Sequence, residues 1–204
     1  MALTVFQDPH KTSYKENQFY QFVIDEFSDT DMNIGLFFDV DIANTHFDCL
    51  VLSPKGLAII EHIDYSGELS GNEFDDWLIE ESKGDFFKIA NPLSQIKKQR
   101  LDLINFFNGD NQKFLNKIFT KKTSDNLDAR HISFFLCFNH LGDSSNLLLD
   151  KKTSMWFKSV SKKNFIAEFD SLRTSQFTFS LDEIERFSES IDKIRNQKAE
   201  ENKN

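Results

Sequence analysis

Residues 47–64 decide the fold: Phe47-Asp48-Cys49-Leu50-Val51-Leu52-Ser53-Pro54-Lys55-Gly56-Leu57-Ala58-Ile59-Ile60-Glu61-His62-Ile63-Asp64. Two apolar runs flank Ser53-Pro54-Lys55-Gly56, whose composition suits a tight turn, so the stretch reads as a β-hairpin. Each arm carries one acid in otherwise apolar surroundings. A turn with an even number of residues pairs Leu52 with Leu57, Leu50 with Ile59, and Asp48 with Glu61. Opposed residues have Cβ atoms roughly 4.5–5.5 Å apart, where two like charges repel. A cation between them would reverse the sign of that interaction. A three-residue turn with Gly56 in the left-handed region shifts the register by one and sends the acids to opposite faces.

Outward from the hairpin, helix and strand signals alternate. Ser13 and Glu16 form a capping box ahead of a helical face of Phe19, Phe22, Val23 and Phe27. Ile34 to Ile42 reads as a strand, and the acidic stretch from Ser66 to Asp85 as a long connection. Asn91 caps a helix with Pro92 in its first turn and Leu93, Ile96, Leu103 and Phe107 facing inward. A short helix is expected over 112–119 and a polar loop over 121–130. His131 to Phe138 reads as a buried strand, with shorter strands at Leu147–Leu149 and Met155–Phe157. A helix is expected from Ser161 to Leu172. Ser180 with Glu183 is a second capping box, opening a helix with Ile184, Phe187, Ile191 and Ile194 on one stripe. The tail from Arg195 is polar. A first helix followed by βββαβ predicts an α/β domain around a central mixed sheet. We divide the chain into an α/β domain at 1–178 and a C-terminal helix with a frayed tail at 179–204.

Composition bounds the function classes. The chain has 204 residues, 39% hydrophobic, with 23 Phe, 7 Gly and 3 Pro, which suits one folded domain with a full core. A net charge of -9 argues against a general nucleic-acid coat but leaves room for a local basic groove. No stretch has the length and apolarity of a membrane span, and the first residues have no signal-peptide layout, so a cytoplasmic location and no membrane partner are expected. Cys49 and Cys137 fall inside apolar runs and read as buried free thiols. The five histidines show no metal-ligand spacing. The lysine pairs at 97–98, 121–122, 151–152 and 162–163 read as solvated faces, and become a phosphate track only if folding gathers them.

The order of landmarks resembles a known family. Asp48, the hairpin through Pro54-x-Gly56, Ile59-Ile60-Glu61, Tyr65-Ser66-Gly67-Glu68-Leu69-Ser70-Gly71, and Asn91-Pro92-Leu93-x-Gln95 look like the NERD, or nuclease-related, domain of the PD-(D/E)xK nucleases. The likeness covers roughly residues 14–107. It implies a restriction-endonuclease-like core, and it favours the register that brings the two acids together. By resemblance, Asp48 and Glu61 would be ligands of Mg²⁺ or Mn²⁺, Glu16 a supporting acid, and Gln95 a helix residue reaching the site. Such a site hydrolyses phosphodiesters, with the carboxylates holding the ion and a lysine two residues past the second acid orienting the water.

This chain departs from that pattern at the lysine. Glu61-His62-Ile63 places an aliphatic side chain there, and Ile63 can neither donate a hydrogen bond nor stabilise negative charge. His62 alternates to the other face of the strand. Lys98, three residues after Gln95 on nearly the same helix face, is the candidate for a relocated lysine. Plainer readings stand beside these: Glu16 as part of a cap, Gln95 as an ordinary first-turn residue, the Ile184–Ile194 stripe as core.

Three functions stay open. One is a nuclease-like domain in DNA processing or defence that cuts weakly or not at all and serves as a nucleic-acid or protein recognition module. Another is an active Mg²⁺-dependent nuclease using Lys98. The third is a protein-interaction scaffold working through the C-terminal helix.

Overall fold

The hairpin forms with the even-numbered turn. Strand β3 (Thr45–Ser53) and strand β4 (Gly56–Asn72) pair antiparallel, with Ser53 opposite Gly56, Leu52 opposite Leu57 and Cys49 opposite Ile60. Gly56 takes φ 112°, a conformation that costs a glycine little. The computed structural model describes residues 3–7, 17–42, 44–108, 118–120, 132–142, 145–172 and 179–201.

Around the hairpin lies a mixed sheet. Strand β1 (Leu3–Gln7) runs parallel to β2 (Ile34–Ile42), and β2 pairs antiparallel with β3. On the other side, β4 runs parallel to β7 (Ile132–Leu141), which runs parallel to β9 (Phe157–Ser161). Both faces of this sheet are apolar and both are covered, as central strands with near-continuous hydrophobic runs require. Helix α1 (Gln18–Ser28) and helix α4 (Phe165–Asp170) cover one face, where Phe27, Phe135, Phe165 and Phe169 are buried together. Helix α2 (Leu93–Asn108) and helix α5 (Leu181–Glu201) contribute Leu93, Ile96, Leu103, Ile184 and Phe187 to the core on the other face. The result is an α/β fold with a central mixed sheet flanked by helices.

The caps carry the local logic. Asn91 Oδ1 accepts the Leu93 N–H at 2.9 Å and opens α2. Ser180 Oγ accepts the Glu183 N–H at 3.2 Å while Glu183 Oε2 accepts the Ser180 N–H at 2.8 Å, a reciprocal capping box at the start of α5. The inward stripe of α5 is core: Ile184, Phe187 and Ile191 are buried with β2 and α2 residues. Helix α1 instead takes its cap from Asn17, whose Oδ1 accepts from Phe19 and Tyr20 N–H. Ser13 and Glu16 lie outside the described residues, as do 112–117, 121–130 and His131.

The expected connection over 66–85 is instead strand. β4 continues to Asn72, and β5 (Trp77–Ser82) and β6 (Asp85–Ile89) follow as an antiparallel ladder against its second half. The glycines of this stretch permit close contact. A Cβ on Gly71 would lie 2.4 Å from the Trp77 ring, and one on Gly67 (φ +144°) would lie 2.5 Å from the Glu80 carbonyl oxygen. Trp77 is fully buried there. Strand β8 is Asn146–Leu148, helix α3 (Lys151–Ser154) precedes β9, and the helix expected from Ser161 is shorter because Ser161 still belongs to β9.

Candidate functional site

The β3–β4 ladder ends at the acids. Beyond Cys49 and Ile60, the carboxylates take over backbone donors: the Asp48 N–H donates to Glu61 Oε1 at 3.2 Å, and the His62 N–H donates to Asp48 Oδ2 at 3.0 Å. Asp48 and Glu61 are thus neighbours on adjacent strands. Both are half-buried. Burial, followed by the charge of Asp48, pushes the Glu61 carboxyl up to about 8, against the opposing pull of the Asp48 N–H and the Gln99 amide. Two carboxylates in a poorly hydrated place resist double ionisation, and each also needs its donors.

A third acid joins the row. On β2, Phe38 pairs with Cys49 and Val40 with Phe47, which sets Asp39 opposite Asp48. Asp39 has φ 56°, a left-handed conformation uncommon outside glycine, though Asp tolerates it better than most residues. There the side-chain alternation of β2 breaks: Phe38 packs toward α1, whereas Val40 and Ile42 pack toward α2. The buried Tyr20 hydroxyl hydrogen-bonds Asp39, and burial, then the charges of Asp39 and Asp48, hold that phenol above its ordinary range. His46 stands at the exposed rim, with Nδ1 3.1 Å from Asp41 Oδ1 and Nε2 3.6 and 3.7 Å from Asp39 and Asp48 Oδ1.

The helix side of the site is supplied by Gln99. Its side-chain nitrogen lies 3.2 Å from Glu61 Oε1 and 3.1 Å from the His46 carbonyl oxygen, and the residue is only 6% exposed. Gln95, one turn earlier, is exposed. Lys98 is also exposed, with its ammonium on Asp102, which in turn accepts from Thr45 Oγ1 at 2.6 Å. Ile63, on the Glu61 face of β4, packs against the core beneath α2. His62 lies on the opposite face, stacked on Phe19 with centroids 4.6 Å apart and its Nε2 3.2 Å from Asn139 Oδ1. Glu16 lies outside the described residues.

A model of the nuclease-related domain, NERD, matches residues 11–122, more than half of the chain. The chain belongs to the NERD family. Comparison with curated proteins gives no match, and comparison with solved structures gives none either. The NERD match spans α1, the hairpin, the β5–β6 ladder and the whole of α2, so every element that borders the acid pair except β7 lies within it.

Do the residues of this NERD chain fit a divalent ion? Asp48 and Glu61 offer hard oxygens. Their hydrogen bonds converge on Oδ2 and Oε1, which leaves Glu61 Oε2 for a ligand, with Asp48 Oδ1 facing only the His46 ring at 3.7 Å. Among the described residues, no group of three or more His, Cys, Asp and Glu side chains could hold a metal by itself. A pair still suits Mg²⁺, which is commonly held by one or two carboxylates with water and phosphate oxygens completing the shell.

Sequence reasoning missed Asp39, His46 and Gln99. Gln99 left a signal: it is a polar residue on the apolar stripe that runs from Ile96 to Leu103. Asp39 left a weaker one, an acid inside an apolar strand. Of the lysine pairs, 97–98 and 162–163 lie apart, Lys97 bonding Glu73 at 3.1 Å on the α2 side and Lys162 lying over the Phe22 ring across the sheet, while 121–122 lie outside the described residues. Among the described residues no helix is long and apolar enough to cross a membrane.

Proposed function

We propose that this NERD domain binds nucleic acid in a DNA-processing or defence setting, holds a divalent ion between Asp48 and Glu61, and cleaves phosphodiesters weakly or not at all. The observation that carries the reading is the pairing of two juxtaposed acids with Ile63 where the family has its lysine. Mg²⁺ or Mn²⁺ bound there would supply a Lewis acid and a template for a phosphate oxygen. The chain's own part is to orient the two carboxylates, through the Asp48 and His62 N–H groups and the Gln99 amide. No side chain two residues past Glu61 is left to orient a water. Gln95 and Glu16 stay assigned as supporting residues by family likeness alone.

An active nuclease is the second reading. Lys98 is held on Asp102, which bonds Thr45 three residues before Asp48 on β3, and the reading requires Lys98 to leave that carboxylate. The test incubates the chain with labelled DNA and RNA in Mg²⁺ or Mn²⁺, beside Glu61→Ala and Ile63→Lys. Cleavage that rises roughly a hundredfold in Ile63→Lys supports the reading, that being the lower range for a positioned proton-transfer group. Robust cutting by the parent, abolished in Glu61→Ala and in Lys98→Ala, overturns it in favour of the active nuclease.

A further inference from the structure

Helix α2 reaches the acid pair through one residue, and that residue is not the one the family pattern points to. Gln95 is exposed, whereas Gln99 is buried with its amide between two oxygens. The orientation of that amide follows from chemistry. The His46 carbonyl oxygen can only accept, so the group facing it must be the NH₂ end. The second hydrogen of the same nitrogen then points to Glu61 Oε1. A donor held at both ends in this way fixes the rotation of the Glu61 carboxyl. Because the Asp48 N–H reaches the same oxygen, both donors act on Oε1 and leave Oε2 toward the site.

We infer that Gln99 is the positioning residue of this site: it holds the Glu61 carboxyl rotated so that the Asp48–Glu61 pair takes a divalent cation. The inference rests on the proposed metal-binding role of that pair. It concerns affinity rather than turnover, so it stands whether or not the domain cuts. Gln99 also ties α2 to β3 through the His46 carbonyl. The cation site is therefore sensitive to the seating of α2, which the Asp102–Thr45 bond reinforces one turn further on.

The experiment titrates the full chain with Mn²⁺ by calorimetry, beside Glu61→Gln, Gln99→Met and Gln99→Asn, and records melting temperatures in EDTA. Gln99→Met keeps the volume and removes the donor. Gln99→Asn keeps the amide but withdraws it by one methylene, and serves if the Met variant fails to fold. Mn²⁺ affinity is expected to fall by about 10–100-fold in either variant, the usual loss when a hydrogen bond to a ligating group is removed. A role confined to packing would lower the melting temperature in EDTA and leave the Mn²⁺ affinity at the parent value. That result overturns the inference while Glu61→Gln still loses binding. A parent that binds no Mn²⁺, or a Glu61→Gln variant that binds as the parent does, overturns the metal-site reading and this inference with it.

Discussion

Asp48 donates its backbone N–H to the Glu61 side chain at 3.2 Å, one step past the last paired residues of the hairpin. A carboxylate thus stands where a backbone carbonyl would otherwise have closed the ladder. The two strands end their mutual pairing there, and β4 goes on with β7 as its partner. The acids sit at the point where the sheet opens.

A pH dependence follows from the same pair. Burial and Asp48 raise the Glu61 carboxyl to about 8 in the folded chain, against about 4.3 for an unfolded glutamate. The folded state therefore binds the proton more tightly. The stability this contributes is present in full below pH ~4.3 and is lost as pH rises through about 8. In EDTA the parent should lose stability across that window, by up to roughly 1.4 kcal/mol per pH unit for one proton. Glu61→Gln should be flatter over the same range. Denaturant melts at pH 5, 6, 7 and 8 measure this, and parallel parent and Glu61→Gln profiles would sink the idea.

Phe187 tests whether α5 belongs to the same cooperative unit. Its ring packs edge-on to Phe37 at 5.1 Å and lies 6.0 Å from Phe119, with no exposure. Phe187→Ala should cost about 3–5 kcal/mol, the usual range for a large ring removed from a core. Glu185→Ala, on the exposed side of the helix, should stay within about 0.5 kcal/mol of the parent. A small loss at Phe187 would instead make α5 an appendage, as the division at residue 179 would have it.

The thiols should be silent. Burial first, then the charges of Asp48 and Glu61, hold the Cys49 thiol well above its ordinary range, and burial pushes Cys137 up to about 12. Reactivity follows the thiolate. At pH 8 neither cysteine should react with a disulfide reagent within minutes, and both should react in denaturant. Rapid labelling of the native chain at Cys49 would mean that the β2–β3 region opens readily.

How far the sequence could be read depended on how local the cause was. The Asn91 and Ser180 caps were legible because a cap is satisfied within three residues of itself. Ile63 was legible as an aliphatic residue on the Glu61 face because strand alternation puts it there, whereas the lysine expected at that position is what the family resemblance implies. The acidic stretch from Ser66 to Asp85 misled, since Gly67 and Gly71 carry the same letters in a loop and in a strand. What makes them strand residues is the Glu80 backbone and the Trp77 ring arriving from β5. Gln99 outran Gln95 for a similar reason: which turn of α2 meets Glu61 depends on how the helix seats against β3.

The sequence by itself determined a hairpin with two acids and an aliphatic residue two positions past the second, because turn composition and period-two alternation act over a few residues. Only the tertiary structure decided what surrounds that pair: Asp39 from β2, His46 at the rim and Gln99 from α2. Those neighbours come from separate elements, and their meeting is set by core packing on both faces of the sheet, which no short stretch of sequence encodes.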